Sequence, residues 1–178
     1  MDWYNEPPRW SDRGDVVMIQ SGPGTDFWRV THNGAVNDNG HFYYQQQTGD
    51  FQADVRISGE YRALYDQAGL MVRLDASHWI KCGIEFVDGF QYASAVVTRD
   101  YSDWSIVRLE NSPPSFWLRL LRRGPTIEIS YALDGHSYQL LRQAYFTPTE
   151  TLEVGLMCAA PQGSGFSSKF EQFRIQSL

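Results

Sequence analysis

Apolar and polar residues alternate along most of this chain with period two, the spacing that places successive strand side chains on opposite faces of a sheet. Phe51, Ala53, Val55 and Ile57 form one apolar row against Gln52, Asp54, Arg56 and Ser58. After a loop from Gly59 to Gln67, Leu70, Val72 and Leu74 repeat the row against Met71 and Arg73. Ile80, Cys82, Ile84 and Phe86 then oppose Trp79, Lys81, Gly83 and Glu85. Asp88-Gly89 follows at once, a pair suited to the positive φ angles of a two-residue hairpin turn. With those two residues as the loop, the register pairs Val87 with Phe90, Glu85 with Tyr92, Ile84 with Ala93 and Cys82 with Ala95. Ile84, Cys82, Ala93, Ala95 and Val97 then share the core, while Lys81, Glu85, Tyr92, Ser94 and Thr98 share the other face.

The second half keeps the same style. A strand near Trp104–Glu110 ends at Asn111-Ser-Pro-Pro-Ser115, and Phe116, Leu118 and Leu120 oppose Trp117, Arg119 and Leu121. A Gly124-Pro125 turn leads to Ile127, Ile129 and Tyr131, and Asp134-Gly135 introduces another hairpin whose return strand runs from Tyr138 to Tyr145. Leu152–Ala159 and Ser167–Ile175 complete the series. Ser58–Gln67 and Pro148–Thr151 have room for more than a turn, but neither is long enough for a stable helix. About ten to thirteen strands at this spacing, with no strand–helix–strand alternation and no fixed-period repeat, predict an all-β sandwich of two antiparallel sheets.

A length of 178 residues suits one domain spanning 1–178, with residues 1–14 as an extended N-terminal arm. The 15% aromatic content and fifteen glycines agree with an all-β chain. A net charge of −6, with no basic tract beyond Arg122-Arg123, argues against a nucleic-acid partner. No apolar run has the length to span a bilayer, and the opening MDWYNEPPRWSDRGD has neither a basic start nor an apolar stretch. The expectation is therefore a cytoplasmic protein without a membrane partner. Cys82 and Cys158 sit within apolar strand patterns, where cysteine is a small buried hydrophobe, so neither a disulfide nor a zinc site is expected.

Two stretches carry a family resemblance. YDQAGLMVRLDASHWIKCGIEFVDG (65–89) followed by SAVVTRDYSDWS (94–105) resembles the core signature of a domain-of-unknown-function family, that of the yeast regulation-of-enolase protein, within the concanavalin A-like lectin/glucanase superfamily. TDFWRVTHNGAVNDNGHFYYQQQTGDFQADVRISG (25–59) is similar to the N-terminal half of that family. FWLRLLRRGPTIEISYALDGHSYQLL (116–141) resembles a hairpin common in sugar-associated members, with Tyr138 where tryptophan is commoner. The resemblance implies a concanavalin A-like jelly-roll sandwich with a concave sheet face that binds sugars in many members. It implies no defined activity.

The polar side of the central hairpin is the leading candidate site. Arg73, Trp79, Lys81, Glu85, Tyr92, Ser94 and Thr98 are expected on one face, with Trp117 and Arg119 of a later strand completing an aromatic and charged surface. Sugars bind such surfaces because their C–H faces stack on aromatic rings while hydroxyls need fixed donors and acceptors. On this reading Trp79 and Trp117 stack on a sugar ring, Lys81 and Arg119 donate to hydroxyls or an anionic substituent, and Glu85 accepts from hydroxyls while orienting Lys81. The plainer reading of the same residues is a cross-strand charge cluster on a solvated sheet. Trp28 and His41, with Asp26, are expected at the rim of a second candidate pocket at one sandwich edge.

Other chemistry is poorly supported. Asn37-Asp38-Asn39-Gly40-His41 is oxygen-rich but has ordinary turn composition, and His32, His41 and His78 match no compact zinc spacing, so no metal is expected. Gly22-Pro23-Gly24 lacks the residues of a phosphate loop, so no cofactor is expected either. Retaining and inverting glycosidases need two carboxyl groups flanking the bond, and no paired-carboxylate motif is present, so no catalytic residue is assigned. The chain reads as a non-catalytic ligand-binding or regulatory module for a carbohydrate or polyol. The alternatives are a protein-interaction module that regulates a metabolic enzyme, which the resemblance suggests, and a carbohydrate-active hydrolase using Glu85 as acid or base.

Overall fold

The Asp88-Gly89 turn closes a hairpin in the register its chemistry dictates: Val87 faces Phe90, Glu85 faces Tyr92, Ile84 faces Ala93 and Cys82 faces Ala95. The computed structural model of the protein describes residues 1–178. In chain order its strands are β1 (Asp2–Tyr4), β2 (Arg9–Asp12), β3 (Val16–Gln20), β4 (Phe27–Arg29), β5 (Val36–Asp38), β6 (His41–Thr48), β7 (Phe51–Gly59), β8 (Gln67–Arg73), β9 (His78–Val87), β10 (Phe90–Arg99), β11 (Tyr101–Arg108), β12 (Phe116–Arg123), β13 (Thr126–Ala132), β14 (Gln139–Tyr145), β15 (Thr151–Ala159) and β16 (Ser167–Ser177). Sixteen strands exceed the number read from the sequence. The excess lies in the first forty residues, in segments of three to five residues that are too short to show a periodicity.

Fourteen strands build two antiparallel seven-stranded sheets, ordered β1-β6-β15-β8-β9-β10-β11 and β14-β13-β12-β7-β16-β3-β2. This is the concanavalin A-like jelly-roll sandwich. The N-terminal arm adds one edge strand to each sheet, β1 beside β6 and β2 beside β3. The inward faces enclose a core of 31 buried residues, including Leu70, Val72, Ile80 and Ile84 from the first sheet and Val55, Ile57, Leu118 and Leu120 from the second. Burial on this scale is the main stabilising contribution, at about 25 cal/mol per Å² of apolar surface removed from water. Both cysteines are unpaired and buried, and burial pushes both thiols up in pKa, so neither is a nucleophile at neutral pH.

A second, smaller core lies outside the sandwich. The β4–β5 ribbon forms a separate two-stranded sheet, and its Phe27 packs with Phe42, Met71, Trp79, Val96 and Met157 on the outward face of the first sheet.

Candidate functional site

The outward face of the first sheet is set by the period-two alternation across its central strands. Gln67, Gly69, Met71 and Arg73 of β8 align with Glu85, Gly83, Lys81 and Trp79 of β9, and these with Tyr92, Ser94, Val96 and Thr98 of β10. Arg108, Ile106, Trp104 and Ser102 of β11 complete the rows. The expected convergence of Arg73, Trp79, Lys81, Glu85, Tyr92 and Thr98 on one face is therefore present, but half of that face is already covered.

The ribbon is the cover. Phe27 is fully buried, with its ring 6.1 Å from that of Trp79. Trp79 is also fully buried, and its indole N–H has no hydrogen-bond partner. Lys81 donates to the Phe27 carbonyl at 2.6 Å and to Asp26 Oδ1 at 3.2 Å. Arg73 holds Asp38 at 2.9 Å, lies 3.6 Å from Glu153 and stacks on Tyr4 at 4.2 Å. Burial raises the Glu153 carboxyl and opposes the lowering effect of Arg73. Thr98 is buried against Ser102, whose hydroxyl accepts the Arg29 backbone N–H at 2.9 Å. Arg73, Trp79, Lys81 and Thr98 thus seat the ribbon, and Trp79 has no open face on which a sugar could stack.

Trp117 and Arg119 depart further from expectation. They lie on β12 in the second sheet, opposite Arg56 and Asp54 of β7, and face outward on the far side of the sandwich. Arg119 binds Asp54 at 2.6 Å and covers the Tyr138 ring, while Arg56 covers Trp117. They cannot share a ligand with Lys81 or Glu85. The rim residues are structural as well. Buried His41 donates from Nδ1 to the Asn5 carbonyl at 2.7 Å and accepts the Gly22 N–H on Nε2 at 2.9 Å, joining the arm to the start of the ribbon. Trp28 donates to the Thr31 carbonyl within the ribbon's own loop.

Beside the ribbon the sheet surface dips into a narrow trough lined by buried residues. Its floor is bare because Gly69 and Gly83 face each other across β8 and β9. A Cβ on either glycine would overlap the backbone of the opposite strand, so the close approach requires glycine at both. Gln67 and Glu85 wall one side, Lys81 the other, and Met157 and Ser94 close the ends. The depression holds about 10 Å³, room for one water.

The walls are held rigidly. Glu85 Oε2 accepts from Ser94 at 2.6 Å and from the indole N–H of Trp104 at 2.8 Å. Trp104 keeps 41% of its surface exposed above this anchor, with Tyr65 edge-on at 6.2 Å. Tyr65 has φ 67°, a left-handed conformation that is strained for an aromatic residue. That turn aims its carbonyl at Gln67 Nε2, 3.2 Å away. The alternation in the sequence points to Glu85 and Ser94, but Gln67, Gly69, Gly83 and Trp104 are missed as site residues. The available signal was two glycines at same-face positions on paired strands.

The family model described as "Protein of unknown function (DUF1349)" matches residues 3–178. Regulation of enolase protein 1 of Saccharomyces cerevisiae is 36% identical over 173 residues, 97% of this chain and 87% of that protein. A crystal structure of a functionally unknown protein from the same yeast superposes with a TM-score of 0.95 at 35% identity, covering 99% of this chain and 96% of that one. The carbohydrate binding module CBM66 from Bacillus subtilis aligns over 98% of this chain and 95% of its own with a TM-score of 0.60. Its 13% identity makes that a likeness of fold alone. With a family match that runs from residue 3 to the C-terminus and a yeast relative more than one-third identical, this chain belongs to the DUF1349 family.

Proposed function

We propose that the protein is a cytoplasmic, non-catalytic module that binds a carbohydrate or polyol across the mouth of the narrow trough on the first sheet. The observation that carries the reading is Trp104: a half-exposed indole, pinned by its N–H to the buried Glu85 carboxylate, stands at the edge of the trough beside Glu85 and Ser94. Such a ring offers a stacking surface at little entropic cost, and the fixed polar groups below it supply orientation. The likeness of fold to a carbohydrate binding module supports the same reading.

A thermal-shift and calorimetric screen against neutral mono- and oligosaccharides tests it, using the parent protein, Trp104→Ala and Glu85→Gln. A ligand at tenfold excess over its Kd stabilises the native state by about 1.4 kcal/mol, or roughly 3–6 °C for a domain of this size. The expected result is a shift in the parent that disappears in both variants. Silence across the panel would overturn the proposal.

A second reading, regulation of a metabolic enzyme through protein contact, is supported by the name of the yeast relative. The exposed Tyr101 and Val107 of edge strand β11, with Leu140 and Tyr145 of edge strand β14, offer apolar contact area. It predicts a change in enolase turnover when the purified chain is added. Unchanged kcat and KM at stoichiometric excess would end it.

A further inference from the structure

We infer that the mouth of the trough recognises an uncharged vicinal diol, taking two neighbouring hydroxyls as donors, and discriminates against phosphorylated and uronic sugars. This rests on the carbohydrate reading above and adds the ligand's charge class and its contacting groups.

The argument is a count of free hydrogen-bonding positions. Gln67 Nε2 donates to Asp26 Oδ1 at 3.3 Å and to the Tyr65 carbonyl at 3.2 Å. Two acceptors at that end fix the amide's orientation, and its Oε1 has no protein partner. Glu85 spends Oε2 on Ser94 and Trp104, and its Oε1 likewise has none. Neither free oxygen is among the fully buried atoms that lack a partner, so each keeps a small exposed surface although Gln67 and Glu85 are themselves buried. Gln67 and Glu85 are register partners on adjacent strands, so the two acceptors belong to neighbouring positions of one row. Directly opposed residues of an antiparallel pair lie about 5 Å apart, a spacing over which adjacent ring hydroxyls can each donate to one oxygen. The exposed face of Trp104 then receives the ring's C–H surface.

The charge count points the same way. Asp26 and Glu85 bring two carboxylates to the trough against one ammonium. Lys81 is already committed to Asp26 and to the Phe27 carbonyl. Arg73 is paired with Asp38 and Glu153 under the ribbon. Arg108, two strands from Glu85, stacks on Phe90 at 3.5 Å. Lys81 is the one cation among the residues lining the trough and it is already committed, so an anionic substituent there would meet uncompensated acceptors.

Calorimetry on the full chain with matched pairs tests this: glucose against glucuronate and glucose 1-phosphate, and fructose against fructose 6-phosphate, with the monodeoxy analogues of whichever neutral sugar binds. The charged member should bind about threefold more weakly or worse at physiological ionic strength. Deoxygenation should weaken binding at two adjacent ring positions. Equal or tighter binding of the charged member overturns the inference while leaving the carbohydrate reading intact. Loss at a single position, or at two separated ones, overturns the diol. Failure of every sugar to bind defeats both.

Discussion

The ribbon over the first sheet is held by one aromatic plug, and a double-mutant cycle measures it. Phe27 is fully buried, and a buried phenylalanine removes roughly 150–250 Å² from water, worth about 4–6 kcal/mol at 25 cal/mol per Å². Measured Phe→Ala costs of about 3–5 kcal/mol agree with that figure, so Phe27→Ala should lose about 4 kcal/mol. Gly40 supplies the second corner of the cycle. A Cβ there would overlap the Phe27 ring, so Gly40→Ala should overpack the plug and cost about 1–3 kcal/mol. In the Phe27→Ala background the ring is gone, the added methyl enters vacated space, and Gly40→Ala should be neutral or slightly stabilising. Urea denaturation of the four proteins, with m unchanged, gives the coupling directly. Additivity within about 0.5 kcal/mol would refute the plug, as would a Phe27→Ala cost below about 1 kcal/mol.

Lys81→Met leaves Asp26 and the Phe27 carbonyl without their buried cation and should cost about 3 kcal/mol, with faster amide exchange confined at first to residues 26–38; unchanged exchange there would remove Lys81 as the ribbon's anchor. Trp117→Ala and Arg119→Ala lie on the opposite sheet and should leave saccharide affinity unchanged, so a tenfold loss in either would relocate the site. Burial lowers the pKa of His41, so the unfolded chain takes up its proton first as pH falls. The stabilisation from neutral His41 is complete above about pH 6.5 and declines below it, toward the lower folded pKa. His41→Gln should flatten that decline in urea melts between about pH 7 and 5, and an equally steep decline in the variant would assign it to other groups.

Strand identity, inward and outward faces and the β9–β10 register are legible in the sequence because they are local properties. Side-chain direction has period two, and Asp88-Gly89 specifies a turn without reference to the rest of the chain. Glu85 and Ser94 follow from that register alone. Sheet membership does not. The alternation puts Leu118 and Leu120 inward, and so Trp117 and Arg119 outward, but outward from which sheet depends on β12 pairing with β7, where Phe116 meets Ile57. Alternation is identical in either sheet, and only closure of that long loop selects one. The cover over Trp79 is hidden for the same reason: Phe27 stands in a three-residue strand whose partners Met71, Trp79 and Val96 are at least forty residues away in sequence. The trough exists only because β8 and β9 align Gly69 with Gly83 and the ribbon stops short of them. The chain's periodicity determined the faces, and long-range packing decided which parts of those faces remained open.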